Sequence, residues 1–328
     1  MVIHLHVGAN RAGSSAIQHF CRINTDLLST AGFVYPQLPA LSQKRFAAAA
    51  CNGADLSYYY ANELPQDADP LSSARRLTES IERIEADHII ISSEFLFDLR
   101  RERLAPLRDA LTASGHRLRV YAYIREPYEW LVSTYAQRVK SRALTVDINE
   151  YLSSLLPEVR FGSAIEDLHS AFGDEIKFLL YRRDRLVGGD VRLDFFKQLG
   201  LELPISEMPP EANRSANATE IETMRHLNGL IERGAWSRRS SREFLRLAER
   251  SELKGPHIRD FVSASVEKAI RDRFDPEVAE LKARHFPQEA GPLFEPPKSS
   301  AKQSLVDFAP SKVASAITSC LRRELGGK

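Results

Sequence analysis

Short apolar, β-branched runs alternate with helical segments over the first 180 or so residues, and this alternation constrains the fold more than any other feature. Val2 to Val7 is the first run, and it stops at Gly8 before a small-residue stretch leads into helical spacing from Ser15 to Phe20. Leu71 to Ala86 reads as an amphipathic helix with Leu77, Ile81 and Ile84 on one stripe, and Ile89 to Ser93 as a buried strand. A helix from about Glu102 to Ser114, stopped by Gly115, precedes a strand from Leu118 to Ile124. Further helices are expected from Pro127 to Arg142, Asp147 to Leu156 and Ser163 to Phe172, and a further strand from Ile176 to Tyr181. Buried strands alternating with helices predict an α/β fold: a mostly parallel central sheet flanked by helices.

Beyond Asp190 only helical patterns occur: Asp190 to Leu199, Thr219 to Glu232, Ser240 to Arg250 and Ile258 to Arg284. Residues 287–300 carry four prolines and read as a linker, and a tail of residues 301–328 contains an amphipathic segment from Pro310 to Leu325. The expected organisation is therefore one α/β domain over residues 1–286, the linker, and a tail helix that docks on its own core or makes a homo-oligomer.

Charge excludes some functions. Lys and Arg total 45 against 44 Asp and Glu, so no global field draws the chain to nucleic acid or an anionic membrane. Arg100, Arg101 and Arg103, then Arg182, Arg183 and Arg185, then Arg238, Arg239 and Arg242, are interleaved with acids and read as solvated faces. Cys21, Cys51 and Cys320 fit neither a disulfide framework nor zinc-ligand spacing. The first residues show no signal-peptide pattern, and no apolar stretch is long enough to span a membrane, so a cytoplasmic location is expected.

An anion must then be held by a local site. Gly8-Ala9-Asn10-Arg11-Ala12-Gly13-Ser14-Ser15 combines glycines, which let backbone N–H groups approach an anion, with the unpaired donors of a helix start. The same residues also suit a tight strand-to-helix turn with no ligand. Against the G-x-x-x-x-G-K-[ST] pattern, Ser14 occupies the lysine position and the cation is Arg11. Arg125, before Pro127, ends a strand, and Ser133 falls eight positions later in the next helix. That pair can converge on a second anion, or Arg125 can be surface decoration. Glu94 ends another strand, at the sheet edge where ligands of such folds bind. It suits a general base, and equally a salt-bridge glutamate. His4 and His6 share a strand face and are too few for a metal site; they read as hydrogen-bonded core residues. Tyr58, Tyr59 and Tyr60 suit a loop packing role or an acceptor cleft.

These motifs, in this order, resemble sulfotransferases that use 3′-phosphoadenosine 5′-phosphosulfate (PAPS), in a carbohydrate-type bacterial branch. Their 5′-phosphosulfate loop has a glycine, two residues and Lys-Thr-Gly-Thr-Thr, so Arg11 and Ala12 depart from the pattern while Gly13, Ser14 and Ser15 follow it. Arg is a planar fork and Lys a point charge, so the exchange is not neutral. The resemblance implies a P-loop-like fold, PAPS as donor, 3′-phosphoadenosine 5′-phosphate (PAP) as product and no metal. It implies that residues 11–15 hold the phosphosulfate, that Arg125 and Ser133 hold the 3′-phosphate, and that Glu94 is the base. Tyr181 begins a stretch similar to the family's later strand, and Arg214, within Asn213-Arg214-Ser215, resembles a loop that lies over the nucleotide. The implied acceptor is a hydroxyl or amine of a carbohydrate or glycolipid. An NTP-dependent small-molecule kinase and a non-catalytic nucleotide-binding protein are the alternatives.

Overall fold

The computed structural model describes residues 1–37, 52–53, 77–202, 216–232, 243–248, 255–295, 315 and 317–318. These divide into two compact units. The first comprises Met1–Glu126, Arg160–Asn213 and Glu277–Phe294; the second comprises Pro127–Val159, Arg214–Pro276 and Glu295–Lys328.

The first unit holds a five-stranded sheet made of β1 (Val2–His6), β2 (Phe33–Val34), β3 (His88–Ser92), β4 (Arg117–Ile124) and β5 (Ile176–Leu180). Its order is β2-β3-β1-β4-β5, and every pairing is parallel. This bears out the α/β expectation. Both faces of β1 are buried: Ile3, Leu5 and Val7 on one, His4 and His6 on the other. The face carrying His4 and His6 is thus covered as fully as the apolar one, as in a parallel sheet flanked on both sides. The helices here are α1 (Ser14–Ile23), α2 (Thr25–Thr30), residues 77–82, α3 (Arg101–Thr112), α6 (Phe161–Phe172) and α7 (Val191–Gln198). Phe195 of α7 lies 5.3 Å from the His6 ring, Phe196 lies 5.0 Å from Phe20 of α1, and α3 packs on α6.

In the second unit α4 (Pro127–Arg142) packs on α8 (Ala218–Glu232). Glu222 is fully buried and satisfied, accepting from Tyr135 Oη at 3.2 Å and Arg225 Nε at 2.8 Å. Asn228 donates to the carbonyls of Val139 and Leu144. Helix α5 (Ile148–Leu155) starts at Asp147, whose side chain accepts from the N–H groups of Asn149 and Glu150.

Two expectations need correction. No element was expected between the helical spacing of Ser15–Phe20 and that of Leu71–Ala86, yet α2 and β2 lie there; they have six and two residues, too few to show a period. Ile258–Arg284 is not one helix. A capping box between His257 and Asp260 opens a single 3-10 turn at Ile258–Phe261, the extended Val262 (φ −75°, ψ 123°) ends it, and α9 (Ala264–His285) begins anew. Of the cysteines, Cys21 is buried in α1, and Cys51 and Cys320 lie outside the described residues. So do Tyr58 to Tyr60, residues 296–300 of the expected linker, and the expected tail helix apart from 315, 317 and 318. No described helix is long and apolar enough to cross a membrane.

Candidate functional site

From β1 the chain crosses toward β2 and β3; from β4 it crosses to β5 on the other side. The loops after β1 and β4 therefore face each other at the C-terminal edge, at the point where strand order reverses and α/β folds bind their ligands. The sheet pairing continues into the first loop, with Val7 N donating to Tyr121 O at 2.8 Å and Ala9 N to Tyr123 O at 3.2 Å.

Two backbone positions shape that loop. Gly13 (φ 84°) is the N-cap of α1 in the left-handed region, and a Cβ there would lie 2.7 Å from Val191 Cγ1 and 2.9 Å from Tyr181 Cε2. Only glycine fits such a place without strain. Arg11 is also left-handed (φ 68°), a costly state for a residue with a side chain, held here by a bond from Arg125 Nη1 to its carbonyl at 2.8 Å. No side chain caps α1 at Gly13, and the first N–H groups of a helix have no acceptor within it.

The side chains add positive charge and one unsatisfied hydroxyl. The Arg11 guanidinium is half-buried, and its pKa is held below the usual arginine value by burial first and by the neighbouring Arg125 second. Two guanidinium groups at one loop raise the local potential in a way that a bound anion would relieve. Arg125 also lies over the Tyr181 ring, 5.7 Å from its centre, and Tyr181 N donates to Ile124 O at 2.8 Å. Ser14 is buried, and its hydroxyl has no hydrogen-bond partner among the described residues. Ser15 is exposed on the first turn, and Ala12 is fully buried beneath the loop.

Glu94 opens a 3-10 turn directly after β3, half-exposed at the same strand edge, and accepts a bond from Gln18 Nε2 at 2.6 Å. Gln18 Nε2 also donates to Ser92 Oγ at 3.2 Å, and Ser92 Oγ is 2.8 Å from His6 Nδ1. This buried chain was missed at the sequence level. The signal was partly there: Gln18 is four positions, one helical turn, beyond Ser14, on the same face of α1. His4 likewise sits 3.2 Å from Tyr121 Oη and 3.0 Å from His88 Nδ1. Both histidines are the hydrogen-bonded core residues the sequence suggested.

Arg11, Ala12, Gly13, Ser14, Ser15, Arg125 and Tyr181 thus gather around one loop of the first unit, with Glu94 tied to the helix that the loop begins. Ser133 lies in the second turn of α4, in the second unit. Arg214 lies outside the described residues. No group of three or more His, Cys, Asp or Glu side chains suited to a metal ion occurs among the described residues. The loop's donors, the orphaned Ser14 hydroxyl and the arginine pair fit a phosphate-bearing ligand.

No family model matches this chain, and no curated protein does. Among solved structures it is similar to a sulfotransferase from Alicyclobacillus acidocaldarius, at 12% identity and TM-score 0.41, over 85% of this chain and 94% of that one. It is also similar to retinol dehydratase in complex with androsterone and the inactive cofactor PAP, at 12% identity and TM-score 0.38, over 84% of this chain and 80% of that one. At these values the assignment of function rests on the site's own residues.

Proposed function

We propose that the protein is a sulfotransferase that moves a sulfuryl group from PAPS to a hydroxyl or amine. The observation that carries this reading is the glycine loop at the switch point, opening on α1, with Arg11 and Arg125 against it. The sequence resemblance to PAPS-dependent enzymes supplies the donor's identity.

The donor supplies the sulfuryl group: an acceptor oxygen or nitrogen bonds to sulfur as the bond from sulfur to the 5′-phosphate oxygen breaks, and PAP leaves. The chain's residues do the rest. The N–H groups at the start of α1, with the Ser14 and Ser15 hydroxyls, bind the phosphosulfate. Arg11 neutralises charge that grows on the departing phosphate. Arg125 and Ser133 bind the 3′-phosphate, with Tyr181 beside Arg125 and Arg214 as a further nucleotide contact. Glu94 takes the proton of the acceptor as it attacks. A carbohydrate or glycolipid is the acceptor class the resemblance favours, and the proposed location is cytoplasmic.

Removing a general base costs about 100- to 10,000-fold in rate. Glu94→Gln should lose turnover of PAPS on that scale, with sulfate release to water or to an oligosaccharide panel as the readout, and should still bind PAP. A fully active Glu94→Gln would remove Glu94 from the mechanism. A wild type that binds PAP and never turns over would identify a nucleotide-binding protein without transfer activity.

A further inference from the structure

We propose that Gln18 is a positioning residue that holds the Glu94 carboxylate in line with the donor loop; this rests on the reading of Glu94 as the base. Gln18 is 3% exposed, and its amide nitrogen has two hydrogens with two acceptors, Glu94 Oε2 at 2.6 Å and Ser92 Oγ at 3.2 Å. The amide is therefore fixed in one orientation, since its flipped form would set a carbonyl oxygen against a carboxylate. Ser92 is fixed in turn by His6 Nδ1 at 2.8 Å and by β3, whose Ser92 stands in register with His6 of β1. His6 is wholly buried and its pKa is pushed down to about 3 by that burial, so the far end of the chain is neutral at working pH.

The consequence is mechanical. Ser14 and Gln18 are one turn apart on α1, so the helix whose start would hold the phosphosulfate also holds the base. Glu94 itself stands at the end of β3 on a 3-10 turn, where one rotamer among several would meet the acceptor. The bond from Gln18 selects a rotamer and keeps the carboxylate at a set height above the sheet edge. Oε1 is left for the acceptor proton while Oε2 is occupied. Alignment of reacting groups to within about 1 Å is worth up to about 100-fold in rate.

The test is a double-mutant cycle with the full-length chain, measuring sulfate release from PAPS and PAP affinity in wild type, Gln18→Met, Glu94→Gln and the double variant. Met matches Gln in length and lacks the donor; Gln18→Asn keeps the amide and lacks the reach. Both single Gln18 variants should lose about 10- to 100-fold in kcat with PAP affinity within about twofold of wild type. In the Glu94→Gln background Gln18→Met should cost nothing further, because Gln18 acts through Glu94. An equal loss in both backgrounds, a kcat unchanged by both substitutions, or a loss confined to PAP affinity would overturn the proposal. If Glu94→Gln is itself fully active, the base falls and Gln18 with it. If Glu94→Gln is inactive and Gln18→Met is not impaired, only the role of Gln18 falls.

Discussion

At Gly13 two demands meet on one residue: a left-handed backbone (φ 84°) and the absence of a side chain beneath Tyr181 and Val191. Gly13→Ala would incur about 1–2 kcal/mol for the left-handed conformation. It would also drive its Cβ into contacts of 2.7 and 2.9 Å. The expected outcome is a loss of at least about 1–2 kcal/mol in urea unfolding, together with weakened PAP binding because the start of α1 moves. The glycine, the serines and Arg11 could be read from the sequence because a strand-to-helix anion loop is a local pattern. Gln18 could not be read as part of the site: its bond to Glu94 joins residues 76 apart in the chain, and nothing local to either reports it.

Strand β1 brings two titratable groups into the core. His4 and His6 are both buried, and burial pushes each pKa from the ordinary histidine value down to about 3; His88 and Arg119 add to the effect at His4. Both values are depressed, so between about pH 6.5 and 3 the unfolded chain binds protons that the folded chain refuses. Stability contributed by the neutral histidines is full above pH 6.5 and is lost as pH falls through that window. Unfolding by urea at about pH 7 and about pH 4 should therefore show a steep fall in wild type and a shallower one in His6→Asn, which can still bond Ser92. An unchanged slope in His6→Asn would mean that His6 titrates normally. At this scale β1, β3, β4 and β5 were legible to within one or two residues, because buried strands are rich in apolar and β-branched residues, whereas the two-residue β2 was missed. The long helical pattern of Ile258–Arg284 misled, since a period does not report the extended Val262 that ends the first turn at Phe261.

For the whole molecule, the alternation of strands and helices was enough to predict a parallel sheet with covered faces. The order β2-β3-β1-β4-β5 was not written in any local stretch; it depends on which strands pair across gaps of up to 115 residues, as Val2 does with Arg117. Yet that order builds the candidate site, because it places the loop after β1 beside the loop after β4 and brings Arg125 to the carbonyl of Arg11. The division into two compact units was likewise not legible, as Pro127 continues directly from Glu126 and no linker composition marks the boundary. The most direct test of the account is calorimetric titration of the full chain with PAP, comparing wild type with Arg125→Ala and using magnesium ATP as control. The account predicts PAP binding that weakens about 10- to 100-fold in Arg125→Ala, as expected for loss of a charge-assisted phosphate contact, and no comparable binding of magnesium ATP. Absence of PAP binding, or a preference for magnesium ATP, would contradict it.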